Sequence, residues 1–392
     1  MKKVLLLGSS YSAIPIFFLL KSHGYTVHVC GYKRNDPCHK HADKSHFIDY
    51  SKQHDVCKII ENELIDFIVP TCNDYSYLTG SFLSEKYKFP GFDSYKTTCK
   101  LHLKNEFRIL AKDLNLPIPD FEIIEPRKLT ELEINIKPPL LIKPNNLFSG
   151  IGIQRINHRK DLQNIIDKIK LPCNTNILVA EKFIRGSLHS HSAFLKNKKI
   201  AYDFFVDEFC TKYPYQVNSS YFPSSLSSQD KNLVRKYIHN LAEHLDLSDG
   251  LIHSQFISHK GKITMIETMR RCPGDLYGLL IEKATGFNYH ECYIQPFINK
   301  SFGYYKLKKN KNIGRYTIAT SDDLFFYKTS INAPTSKIDF IPLKQCGDQI
   351  KPAPNDKLGI IFLEFKNYKQ MQKIMPFFDK RVKIVDERAI YD

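Results

Sequence analysis

Two charged side chains in this 392-residue chain stand where phosphate and metal chemistry would need them. Lys143 ends the apolar run Leu140-Leu141-Ile142 and is followed by Pro144 and the loop Asn145-Asn146-Leu147-Phe148-Ser149-Gly150-Ile151-Gly152. Glu267 closes a second apolar run, Ile263-Thr264-Met265-Ile266, with Arg270 and Arg271 behind it and Pro273-Gly274-Asp275 after. A lysine meets phosphate charge, glycines admit backbone N–H groups to phosphate, and a carboxylate holds a hard cation. Together these are the needs of a nucleoside triphosphate and its metal.

The elements that must position them read directly from periodicity. Lys3 to Leu7, Thr26 to Cys30 and Asp66 to Pro70 are strands separated by helical stretches at Tyr11–Ser22 and Asp55–Glu63, which implies βαβ units and a parallel sheet. Asn73 and Asp74 follow the third strand, at the carboxyl end where ligands of open sheets sit, although a helix N-cap explains them equally well. From Tyr95 to Leu116 the pattern is one helix that carries Lys104 and stops before Pro117. The chain then turns β-rich, with strands near Phe121–Ile124, Pro139–Lys143, Gly152–Ile156 and Ile177–Phe183, and a helix near Asp161–Ile169. A hairpin spans Ser190–Phe205 and a helix spans Asp230–Leu245. The strands Leu251–Ile257 and Lys262–Met269 meet at a Gly261 turn, and a helix runs from Leu276 to Thr285. Strict alternation puts Gln255 on one face with His253 and Ile257, and Glu267 on one face with Met265 and Met269. If these two strands pair, Gln255 and Glu267 face one cavity. His189, His191 and Tyr202 fall on the hairpin beside that cavity, and Arg315 reaches toward it from the last ninety residues.

Composition narrows the partners. The net charge of +16 is spread along the chain rather than gathered in a patch, which suits a phosphorylated or nucleotide-linked substrate and argues against dedicated nucleic-acid binding. Ten cysteines are scattered with no CxxC pair, the usage of reduced thiols in a cytoplasmic protein. Cys38-His39-Lys40-His41 with His46 matches no zinc spacing and reads as a polar surface loop. Gly8-Ser9-Ser10 interrupts the first apolar run, so that stretch reads as strand, turn and helix rather than a secretory leader, and no segment has the apolar length of a membrane span.

Five segments in order resemble the ATP-grasp superfamily, and within it the carboxylate–amine ligases. They are Lys104 through Pro117, Leu141-Ile142-Lys143-Pro144 with Ser149-Gly150-Ile151-Gly152, Val179 through Gly186, His253-Ser254-Gln255-Phe256 with Ile266 through Arg271, and Ala284-Thr285-Gly286-Phe287. The resemblance implies an α/β and α+β architecture: a Rossmann-like subdomain over 1–95, two ATP-grasp lobes over 96–302, and a β-rich C-terminal subdomain over 303–392. It implies that Lys104 and Lys143 meet the phosphates and that Ser149, Gly150 and Gly152 form a flap over them. Glu181, Lys182, Phe183 and Ile184 would face the adenine, Glu267 and Gln255 would hold Mg2+, and Arg271 would stabilise the moving phosphoryl group.

The sequence departs from the family pattern at three positions. Gln255 stands where an acid is usual, Met269 where an asparagine is usual, and Leu188 where many members place a ribose-binding glutamate. Gln255 still offers a carbonyl oxygen, whereas the Met269 thioether is a poor magnesium partner. Asp275 is a candidate to make up the missing charge. The resemblance implies an ATP-dependent ligase that joins a small carboxylate to an amine, with a homodimer as an open expectation. The alternatives are a carboxylase or small-molecule kinase on the same fold, or a nucleotide-binding regulator without turnover.

Overall fold

The computed structural model describes residues 1–125, 134–162, 164, 165, 169, 177–308, 310–335 and 337–386. Its N-terminal region is a parallel sheet in the order Lys44–His46, Thr26–Cys30, Lys3–Leu7, Phe67–Pro70. Val4 and Leu6 pack with residues of the helix Ile14–Ser22, while Leu5 and Leu7 pack with residues of the helix Gln53–Glu63. A strand covered on both faces reads as an unbroken apolar run, which is what the sequence has there. Gly8 turns the chain out of this strand at φ 128°, and a Cβ would lie 2.1 Å from Thr71 Oγ1. Among the described residues no helix is long and apolar enough to cross a membrane. In the Cys38 cluster Lys40 and His41 are exposed, as expected of a polar surface loop, whereas Cys38, in the short turn Pro37–Lys40, is fully buried.

The expected helix from Tyr95 to Leu116 is two helices, Tyr95–His102 and Lys104–Asp113, broken at an extended Leu103. No Pro or Gly marks the break. It is made by tertiary contact, since Asn145 Oδ1 accepts the otherwise orphaned Asn105 N–H at 2.9 Å. Lys104 thereby becomes the first residue of a helix.

Next comes an antiparallel sheet in the order Phe121–Ile124, Leu178–Lys182, Leu140–Pro144, Gln154–Ile156. The helix expected over 161–169 lies in large part outside the described residues. The largest sheet has eight strands, in the order Lys262–Met269, Gly250–His259, Ser187–Lys196, Lys199–Phe209, Ser219–Phe222, Asn312–Ile318, Gly359–Phe365, Ile338–Pro342. Its last three strands come from beyond residue 303, so the C-terminal region continues the central sheet. The helix Ser228–His244 covers one face, where Ala193, Phe205, Ile252 and Met265 join its apolar side.

One irregularity corrects the alternation argument. Gln255 pairs with Glu267 and Phe256 with Met265, so a β-bulge leaves Ile266 as an extra residue. Met265 therefore turns to the helix-covered face with Phe256. Glu267 turns the other way, opposite Gln255, and does not share a face with Met265.

Arg108, 1% exposed, ties these parts together. Its Nε donates to Glu181 Oε1 at 3.0 Å, and its NH2 donates to the carbonyl of the bulged Ile266 at 2.7 Å. Glu181 Oε2 in turn accepts from Lys143 Nζ at 2.6 Å. The two cations outweigh the desolvation that would raise Glu181 and hold its carboxyl down to about 2. Removing one member of a buried charge set typically costs about 3 kcal/mol or more. Arg108→Met is expected to lower the unfolding free energy read from a urea titration by that order; an unchanged value would show that the triad carries no stability.

Candidate nucleotide and metal site

The strand Leu140–Pro144 delivers Lys143 to the cleft, and Glu181 fixes its ammonium there. Helix Lys104–Asp113 delivers Lys104 from its first turn. Burial pushes the Lys104 ammonium down to about 8; the charge of Lys143 acts in the same direction, and Glu267, Asp74 and Glu181 oppose it. Lys104, Lys143 and Glu267 therefore lie in one electrostatic neighbourhood, although they come from three separate elements.

The Ser149–Gly152 loop lies over this neighbourhood. Lys104 Nζ donates to Leu147 O and sits 5.2 Å from the Phe148 ring centroid. Tyr75 OH donates to Asn146 O at 2.9 Å, and its ring meets Phe148 edge-on. Ser149, Gly150 and Gly152 all have positive φ, at 58°, 75° and 75°. At Gly150 a Cβ would lie 2.4 Å from Tyr215 O, so the loop and the turn before strand Ser219–Phe222 approach each other through that glycine.

The hinge strand behaves differently from expectation in one respect. The Glu181 carboxylate is committed to Arg108 and Lys143, so its side chain holds a lysine and only its backbone is left to face a base. Lys182 Nζ donates to Lys137 O, and Phe183 N donates to Pro139 O. Arg155 lies over the Phe183 ring at 4.1 Å. Ile184 follows directly and is half-buried.

The far wall is a row of polar side chains crossing six strands. Glu267 pairs with Gln255, and Gln255 with Ser190. One step along, Glu208 pairs with Leu188 and with Ser220, and Ser220 with Arg315. Paired residues share a face, so all of these line the side away from helix Ser228–His244. Gln255 Nε2 donates to Glu208 Oε2 at 2.6 Å. Arg315 Nε donates to Ser220 Oγ at 2.9 Å and its NH1 to Asp275 O at 2.7 Å. Burial pushes the Glu208 carboxyl up to about 7, with Glu267 adding to the rise and Ser190, Arg315 and Gln255 opposing it.

Arg271 closes the row at the Glu267 end. Its Nε donates to Asp74 Oδ2 at 2.7 Å, while His102 Nδ1 lies 3.0 Å from Asp74 Oδ1. Arg271 and His102 overcome desolvation and hold the Asp74 carboxyl down to about 2. Asn73 is the N-cap of helix Asp74–Tyr87, accepting from Tyr75 N. Of the two residues after the third strand, one thus caps a helix and the other orients Arg271.

Other expectations change. His189 and His191 lie on the helix-covered face, paired with Asp207 at 2.8 Å and Asp203 at 3.0 Å, and take no part in the cleft. Tyr202 accepts from Tyr305 N at 2.6 Å and packs on Phe287. Asp275 is bound by Lys357, Tyr11 and Thr317, so its carboxylate is spent on protein partners and not available to a metal. Met269 is buried and brings no oxygen. Among the described residues no three His, Cys, Asp or Glu side chains are arranged to hold a metal. The Glu267 carboxylate and the Gln255 amide oxygen nevertheless suit magnesium, which takes one or two carboxylates and completes its shell with phosphates and water.

Sequence reasoning missed Arg108, Asp93, His102 and Glu208. Glu208 had a signal: Phe204, Val206 and Glu208 alternate in one strand, so a carboxylate continues an apolar face. The others are buried partners of named residues, Asp93 of Arg270 among them, and only tertiary contact identifies them.

Residues 136–277 match the family model described as the ATP-grasp domain. The chain is similar to the D-alanine–D-alanine ligase of Buchnera aphidicola subsp. Schizaphis graminum (strain Sg), 29% identical over 177 residues, which are 43% of this chain and 56% of that protein. The match thus spans about half the length of that relative. Among solved structures, the L-amino acid ligase from Bacillus licheniformis superposes with a TM-score of 0.79 at 17% identity, covering 99% of each chain. The biotin carboxylase domain dimer of the Hydrogenobacter thermophilus 2-oxoglutarate carboxylase, in complex with MgADP, ADP and bicarbonate, gives 0.75 at 15% identity, covering 98% of this chain and 91% of that one. Residues 136–277 thus match the ATP-grasp domain, and the chain shares the fold of these solved structures over nearly its whole length.

Proposed function

We propose that this protein is an ATP-dependent ligase that activates a carboxylate as an acylphosphate and passes the acyl group to an amine. One observation above all supports this: Lys104, Lys143 and Glu267 come from three separate elements and, with Arg271 just past the last of them, act on one cleft beneath a glycine loop. The names of two similar proteins, a D-alanine–D-alanine ligase and an L-amino acid ligase, support the same reading, while the carboxylase domain among the solved structures stands for the alternative.

Lys143, held by Glu181, and Lys104 neutralise the triphosphate. The flap excludes water, so the γ-phosphoryl group passes to an organic acceptor. Glu267, with Gln255, would hold Mg2+, which would draw negative charge off the phosphate oxygens. A substrate carboxylate oxygen attacks the γ-phosphorus and the bond to ADP breaks, giving an acylphosphate. Arg271, oriented by Asp74, faces the charge that grows on the transferring group. An amine nitrogen then attacks the acyl carbon, phosphate leaves with the C–O electron pair, and the nitrogen gives up a proton. No protein nucleophile is needed. A cytoplasmic setting fits the nine cysteines that are free among the described residues, and the dimer in the Hydrogenobacter thermophilus structure supports a homodimer here.

Two measurements test this reading. Lys143→Ala should abolish phosphate release in a screen of acid and amine pairs with ATP. Arg108 still neutralises Glu181 in that variant, so its circular dichroism should stay native; retained turnover would remove Lys143 from the site. The second concerns pH. Bound phosphate raises the Lys104 pKa above its free value of about 8, so ATP affinity is full below that pH and falls as pH rises through it. Dissociation constants for a non-hydrolysable ATP analogue should therefore rise across this range in the wild type, and Lys104→Met should flatten the profile.

A further inference from the structure

We propose that Glu208 is a ligand of the catalytic cation, supplying from strand Lys199–Phe209 the carboxylate that strand Gly250–His259 lacks at Gln255. The proposal rests on the ATP-dependent reading of the cleft and gives its metal site a residue that the family pattern does not indicate.

Four observations carry it. Glu208 is 3% exposed and stands on the cleft face, in the polar row that runs from Glu267 to Arg315. The Gln255 amide nitrogen donates to Glu208 Oε2 at 2.6 Å, which draws the carboxylate along the sheet toward the Gln255–Glu267 pair. The same bond leaves the Gln255 carbonyl oxygen as the atom it can offer a cation. Glu267 acts electrostatically on Glu208 across the cleft face. Finally, neither Glu208 nor Glu267 forms an ion pair with any described residue. Arg315 is near, but its Nε and NH1 donate to Ser220 and the Asp275 carbonyl. Elsewhere in the interior, Asp74, Asp93 and Glu181 each hold a basic partner.

A buried carboxylate without a counter-ion, as Glu208 is, is costly, and the charge of Glu267 adds to that cost. A dication between them removes both penalties, and magnesium is satisfied by two carboxylates with phosphate and water completing the octahedron. Gln255 then serves twice, orienting Glu208 through its nitrogen and presenting an oxygen to the metal.

The test is Mn2+ binding to the full-length protein, followed by electron paramagnetic resonance with the β,γ-imido analogue of ATP present. Glu208→Gln should weaken Mn2+ binding by about tenfold or more, while metal-free binding of the analogue stays as in the wild type. The double variant Glu208→Gln/Gln255→Glu, which moves the acid to the neighbouring strand, should recover Mn2+ affinity; because it preserves the net charge of the wild type, recovery separates lost ligation from a damaged fold. Mn2+ affinity unchanged in Glu208→Gln but lost in Glu267→Gln would overturn the role of Glu208 and leave the nucleotide reading standing. A Glu208→Gln effect confined to the amine KM would overturn it too. Failure of the wild type to bind Mn2+ with the analogue would overturn both.

Discussion

Glu181 is the residue on which the arrangement rests. Its carboxylate is buried between Arg108 and Lys143. Helix Lys104–Asp113, strand Leu140–Pro144 and strand Leu178–Lys182 are thus fixed to one another by a single charge set. Arg108 extends the link to the large sheet by holding the Ile266 carbonyl. Buried ion pairs are weak sources of net stability but strong constraints on geometry when one partner is also tied elsewhere. Here the constraint sets where Lys143 points.

A second charged network works in parallel on the N-terminal side. Asp74, at the start of a helix that follows the parallel sheet, binds Arg271 and His102. Arg270, the neighbour of Arg271, turns the other way to Asp93 at 2.8 Å. Two successive arginines on the same chain thus anchor to different parts of the N-terminal region. The one with a path to the cleft, Arg271, is oriented by a carboxylate that a nearby histidine also holds. The cleft is in this sense assembled by buried acids, each of which aims a base.

Much of this was legible in the sequence, because local rules decide it. Lys143 follows an apolar run into a glycine loop, and the hairpin of the two strands joined at Gly261 is equally local; its regular register would set Gln255 against Ile266, and it is the bulge that brings Glu267 opposite Gln255. Local reading failed where distant contacts set the local geometry. The break at Leu103 depends on Asn145, some forty positions on. The side to which Met265 turns depends on a bulge that no residue type announces. His189 and His191 looked like cleft residues because a strand was assigned without knowing which of its faces a helix would cover. Glu208 lies outside the strands that carry the family's usual acids, and its charge belongs to a row defined only by the order of strands in the sheet.

The bulge at Ile266 has a consequence for how this chain can change in length. An insertion or deletion elsewhere in Lys262–Met269 would exchange the two faces, sending Glu267 into the core and an apolar residue into the cleft. Excision of Ile266 alone would leave a regular ladder with Met265 and Glu267 facing as they do now. That shorter chain would keep its carboxylate in place but strip Arg108 of its carbonyl, so the only spot in the strand that tolerates losing a residue is the one where the two lobes are stitched together.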